Sequence, residues 1–138
     1  MSLDIYLYKK KYVSYDKVEF IEEDEEVFHT QITHNLGKMA SAAGIYEALW
    51  RPYQLKDDYP ILSTSKEEYQ FEEDNPVYAK DIISTLEIGL EDLKEKPEYF
   101  KTFNPVNGWG IYDILVEVVG EYLEACKKHP DTIVKTDR

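Results

Sequence analysis

Apolar residues recur with a period of two at the start of the chain and with a helical period over most of the rest. Asp4-Ile-Tyr-Leu-Tyr8 alternates, with Ile5 and Leu7 on one face, and predicts a strand. Val18-Glu-Phe-Ile21 and Val27-Phe-His-Thr-Gln-Ile-Thr33 predict two more. Between these two runs stand the adjacent acids Glu22-Glu-Asp-Glu-Glu26. Adjacent negative charges repel and resist burial, so this run reads as a solvated hairpin loop. Lys9 to Tyr15 shows no decisive period.

The helical pattern begins after Thr33. Leu36, Met39, Ala40, Ala43, Tyr46, Leu49 and Trp50 recur at three- and four-residue spacing. Thr33 or Asn35 supplies an N-cap, and Pro52 stops the helix by disfavouring a helical Arg51. The prediction is one continuous helix, whose two ends would lie about 20 Å apart at 1.5 Å per residue.

Arg51 to Asn75 is the least regular region. Within it Ser65-Lys-Glu-Glu68 fits a capping box and predicts one short helix. Asn75-Pro76 reads as the start of a second long helix, with Ile82, Ile83, Leu86, Leu90 and Leu93 as its apolar stripe to about Lys96. Pro97-Glu-Tyr-Phe100 predicts a further single turn, and Asn104-Pro-Val-Asn-Gly-Trp-Gly110 a turn cluster. Ile111, Ile114, Leu115, Val118, Val119, Tyr122, Leu123 and Cys126 define a third long helix ending near His129-Pro130, and Thr132 to Thr136 a final strand. Strands first and helices after predict an α+β fold: a small antiparallel sheet, built from the N-terminal strands and the C-terminal one, packed against about three main helices. The length of 138 residues predicts a single domain.

Composition narrows the partners. The formal net charge of −12 opposes phosphate backbones and anionic membrane surfaces, so direct nucleic-acid binding and membrane binding are not expected. One cysteine, Cys126, excludes an internal disulfide. No apolar run approaches the roughly 20 residues of a membrane span, and the N-terminus lacks the base-then-apolar order of a signal peptide. A soluble cytoplasmic protein is the expectation.

Three stretches carry candidate chemistry. Thr33-His34-Asn35 sits at a strand-to-helix junction, where free N–H groups and the helix dipole favour an anion or a polar ligand. Trp50-Arg51 uses arginine in a chain whose other bases are nearly all lysine, and arginine grips carboxylate or phosphate with two parallel bonds. Asn107-Gly-Trp109-Gly110 places a tryptophan, able to stack on a base or sugar ring, between two glycines. Each has a plain alternative: a cap, an internal ion pair, a tryptophan covering the core. His29 and His34 are five apart and would face opposite ways on a strand, so no metal site and no cofactor are expected.

Ile32-Thr-His-Asn-Leu-Gly-Lys-Met-Ala40, Ala43-Gly-Ile-Tyr-Glu-Ala-Leu-Trp-Arg-Pro52, Asn107-Gly-Trp-Gly110 with Tyr112-Asp113, and Tyr122-Leu-Glu-Ala-Cys126 together resemble a family of small proteins of bacteriophages and prophages. The resemblance covers most of the chain from Ile32 onward and the first strand. It implies a phage accessory protein acting in the cytoplasm of a bacterial host, and it carries no activity and no site residues.

The leading expectation is a non-catalytic protein that binds, and sequesters, a small polar ligand, such as a nucleotide-derived one. Thr33, His34, Asn35, Trp50, Arg51, Asn107 and Trp109 would line its pocket. With the helix ends so far apart, one pocket uses one end only, unless a homodimer supplies the other. The alternative is an acidic interaction module whose loops, Glu22 to Glu26 and Glu72 to Asp74, occupy a basic host protein. A third reading makes His34 a general base assisted by Asp113 or Glu47.

Overall fold

The computed structural model describes residues 2–15, 19–106 and 111–138, and the side chains within these apart from those of 12–22. Strand β1 (Ser2–Tyr15) pairs antiparallel with β2 (Glu19–Thr33) along nearly its whole length. Helices α1 (Gly37–Ala42) and α2 (Tyr46–Trp50) follow, then α3 (Ser65–Asp74) and the short β3 (Val77–Tyr78). Helix α4 (Ile83–Glu95), a single turn α5 (Pro97–Lys101), α6 (Tyr112–Lys128) and β4 (Ile133–Asp137) complete the order. The sheet runs β2-β1-β4-β3 with every pair antiparallel, so the last strand returns to lie beside the first. This is the α+β class, and α3, α4 and α6 are the long helices among the described residues.

Alternation in β1 explains the layering. Leu3, Ile5 and Leu7 are fully buried, and Ile32, Val77 and Val134 join them on the same face. Leu86, Leu90 and Leu93 of α4 and Leu115, Val119 and Leu123 of α6 close over that face. A bulge between Leu7 and Tyr8 sets Leu7 opposite Phe28 and Tyr8 opposite Glu26, leaving Val27 over. Val27 and Phe28 consequently both reach the core edge.

The acidic run is not a loop. Lys9, Lys10 and Lys11 lie directly across from Glu25, Asp24 and Glu23, and Lys9 Nζ stands 3.5 Å from a Glu25 carboxylate oxygen. Opposite charges at paired positions stabilise a hairpin, so the three lysines let the acids extend the strand. The prediction failed because acids were weighed only against one another, with no partner strand in view. Residues 16–18, with Val18, lie outside the described residues.

Two helix starts also differ from expectation. Thr64, one residue before Ser65, caps α3 by accepting the Glu67 N–H at 3.1 Å. Asn75-Pro76 does not open a helix: Asn75 closes α3, its N–H and side chain both donating to the Phe71 carbonyl. The chain then spends Val77–Tyr78 pairing with β4 before α4 begins. The third long helix and the final strand stand where the sequence places them.

Inside the core, Tyr122 packs its ring against Phe28, with centroids 5.9 Å apart, yet among the described residues its buried hydroxyl has no hydrogen-bond partner beyond the neighbouring Cys126 thiol. Burial pushes the Tyr122 phenol well up and the Cys126 thiol up to about 12, so both stay neutral. A buried hydroxyl without a strong partner carries an uncompensated desolvation cost. Tyr122→Phe is expected to leave stability unchanged or raise it by about 1 kcal/mol in a denaturant melt. A loss larger than that would show that the hydroxyl is bonded after all.

Candidate ligand-binding site

The predicted continuous helix is broken in the middle, and the break builds the site. A turn of 3₁₀ helix at His34–Leu36 follows Thr33, whose hydroxyl accepts the Asn35 N–H. Helix α1 then ends at Ala42, and Gly44 takes φ of 75°, a left-handed conformation open to glycine at no steric cost. Helix α2 departs in a new direction. The two ends that a straight helix would hold far apart meet: Trp50 Nε1 donates to His34 Nδ1 at 2.8 Å. The Trp50 ring, 2% exposed, also stacks on Tyr46 with centroids 5.0 Å apart. One protomer therefore brings both candidate ends together, and a second copy is not needed to do so.

That bond also fixes His34 chemically. With Nδ1 accepting from the indole, the proton of the neutral ring sits on Nε2, leaving no lone pair for a general base. The catalytic reading loses its central residue.

The two arginines of the chain converge on Tyr53, one at its hydroxyl and one over its ring. Arg51 donates to the Tyr53 hydroxyl at 3.0 Å and to Glu68 at 2.9 Å. Arg138, on the end of β4, lies 5.7 Å over the Tyr53 ring and donates to the Trp50 carbonyl at 3.1 Å. Its guanidinium is 3.8 Å from Glu72, which also accepts from Thr136. Glu68 and Glu72 are one turn apart on α3, so a single helix face holds both cations. Arg51 thus takes the plain alternative foreseen for it, an internal ion pair, and Trp50 is core.

The open space lies beside this lock. A cleft of about 490 Å³ is walled by Tyr53, Tyr69, Glu72, Val77, Lys135 and Arg138. Lys10 and Lys135 with Arg138 face Glu72, Glu73 and Asp137 around it, so in a chain of net charge −12 the cleft is balanced. Partial burial raises the Glu72 carboxyl above the ordinary value, although Arg138 and Thr136 pull it down.

His34 and Trp50 therefore meet, and Trp50 and Arg51 bond to the cleft's own Arg138 and Tyr53 from behind, but none of Thr33, His34, Trp50 and Arg51 lines the cleft. Asn35 stays at the capped turn. Asn107 and Trp109 lie outside the described residues. Tyr53, Tyr69, Glu72 and Arg138 were missed, and only the pairing of β4 with β1 and β3 carries Arg138 to Tyr53. Its rarity as one of two arginines was the single available signal. No helix among the described residues is long and apolar enough to cross a membrane. No family model, no curated protein and no solved structure matches this chain.

Proposed function

We propose that the chain is a phage or prophage accessory protein of the bacterial cytoplasm that holds, and sequesters, a small anionic ligand without catalysis. The observation that carries this reading is the cleft of about 490 Å³ in which Arg138, Lys10 and Lys135 face an exposed tyrosine, Tyr69. The volume suits a molecule of nucleotide size. Arg138 offers a planar fork to a phosphate, and Tyr69 offers a ring face to a base. The Trp50–His34 and Arg51–Glu68 bonds keep the rear wall rigid, which lowers the ordering cost of binding.

The acidic-module reading is weakened, because Glu23 to Glu25 face lysines across the hairpin instead of forming a free loop.

Glu72 gives the cleft a pH dependence of determinable sign. Burial raises its folded pKa, so it takes up its proton at a higher pH than an ordinary glutamate does. Protonation removes one negative charge beside Arg138, so affinity for an anion rises on acidification. Glu72→Gln is expected to bind more tightly at neutral pH and to lose most of that dependence.

Native mass spectrometry of protein from phage-infected lysate, followed by calorimetry with pyrophosphate and with nucleoside mono- and diphosphates, tests the reading. A retained anionic mass and binding that Arg138→Ala abolishes, in a folded variant, support it. Bare protein together with no heat from any of these probes would end it.

A further inference from the structure

The face of the sheet away from the helices carries an ordered aromatic stack. Since Leu3, Ile5 and Leu7 point into the core, Asp4, Tyr6 and Tyr8 stand on the other face. Register places His29 across from Tyr6 and Glu26 across from Tyr8, with Lys135 and Ile133 of β4 on the opposite flank. The Tyr6 ring lies 4.5 Å from the His29 ring at 10° and 5.7 Å from the Tyr8 ring at 18°. The His29 Nε2 contact to Asp4 at 2.9 Å pins the imidazole in that plane. Three nearly parallel rings, half in solvent, thus sit on the sheet face opposite the core.

The surroundings are negative. Partial desolvation and then the carboxylates of Asp4, Asp137 and Glu26 raise the Tyr6 phenol above its ordinary value. Glu26 is the direct cross-strand neighbour of Tyr8, a placement that sets Cβ atoms about 5 Å apart. A ring face and a carboxylate at that separation suit one guanidinium, which lies flat on an aromatic ring while its edge donates to an oxygen pair. Lysine, a compact and strongly hydrated charge, meets only half of that arrangement. Lys135 flanks Tyr6 on the β4 side, whereas Glu26 stands on the β2 side, so the negative side of the stack is the β2 side.

We propose that this open sheet face docks an arginine-bearing segment of a partner protein, with one guanidinium seated on the Tyr8 ring against Glu26 and its flanking residues lying across Tyr6 and His29. The occupant follows from charge complementarity at the seat: Glu26 stands across from Tyr8, Asp4 and its neighbour Asp137 lie beyond Tyr6, and these outnumber Lys10 and Lys135 on the same face, in a chain of net charge −12. The same charges repel a nucleic acid that would otherwise use such rings as a stacking platform. This surface lies on the far side of the sheet from the core and shares Lys135 with the rim of the cleft, but the seat on Tyr8 and Glu26 uses neither Arg138 nor Tyr69.

The test titrates the intact chain at low salt with an arginine octapeptide, a lysine octapeptide and a single-stranded oligonucleotide, while NMR follows the Tyr6, Tyr8 and His29 rings. The arginine peptide should bind about fivefold more tightly than the lysine peptide and shift those rings. Tyr8→Ala and Glu26→Gln should each cut that preference to near one, and Glu26→Gln keeps the backbone pairing should Tyr8→Ala prove unstable. Equal binding of both peptides, untouched by Glu26→Gln, would reduce the effect to diffuse attraction and overturn the proposal. So would absence of arginine-peptide binding, or oligonucleotide binding on these rings.

Discussion

Gly89→Ala will destabilise the protein by about 3 kcal/mol, although the same change in an exposed helix stabilises by about 1. A Cβ at Gly89 would stand 2.1 Å from Ile45 Cγ2 and 3.1 Å from the Ala43 carbonyl oxygen. Ile45 is fully buried and Ala43 is backbone, so neither can step aside freely. The contact exists because α4 crosses under the corner between α1 and α2, and that corner places Trp50 on His34. The melt of Gly89→Ala should therefore move far down, and its tryptophan environment should change with it. Ile45→Ala removes the offending methyl, so the double variant should be more stable than the sum of the two single losses by over about 1 kcal/mol. Additive losses would show that the strain lies elsewhere.

The second large effect belongs to Trp50. Trp50→Ala removes a ring that is 2% exposed and should cost about 4 kcal/mol, the usual range for a large aromatic deleted from a core. Part of the cost is the bond to His34. Trp50→Phe keeps most of the packing on Tyr46 but leaves Nδ1 of His34 without its donor, and should cost about 1–2 kcal/mol. His34→Ala exposes the same bond from the other side, stranding the indole N–H. Denaturant unfolding of the three variants separates ring packing from hydrogen bonding. If Trp50→Ala lost under about 1 kcal/mol, the meeting of the two helix ends would not be a structural lock.

Much of this architecture was legible in the sequence. Alternation in Asp4 to Tyr8 and the long apolar stripe from Ile111 to Cys126 suffice for the first strand and the last helix, because each is specified by its own period and by burial of one face. The α+β class follows from the order of those elements. Local chemistry also announced the Thr33 cap.

Three decisions belong to the tertiary structure alone. The acids of Glu23 to Glu25 become a strand only because lysines arrive opposite them. The helix from Leu36 to Trp50 breaks at Gly44 because α4, seated through Gly89 on Ile45, packs against a corner and leaves no space for anything larger. Arg138 reaches Tyr53 only once β4 has paired with β1, across a sequence separation that no local pattern encodes. Periodicity reports what a segment buries; it carries no record of which distant segment it is buried against, and the cleft is made of those distant meetings.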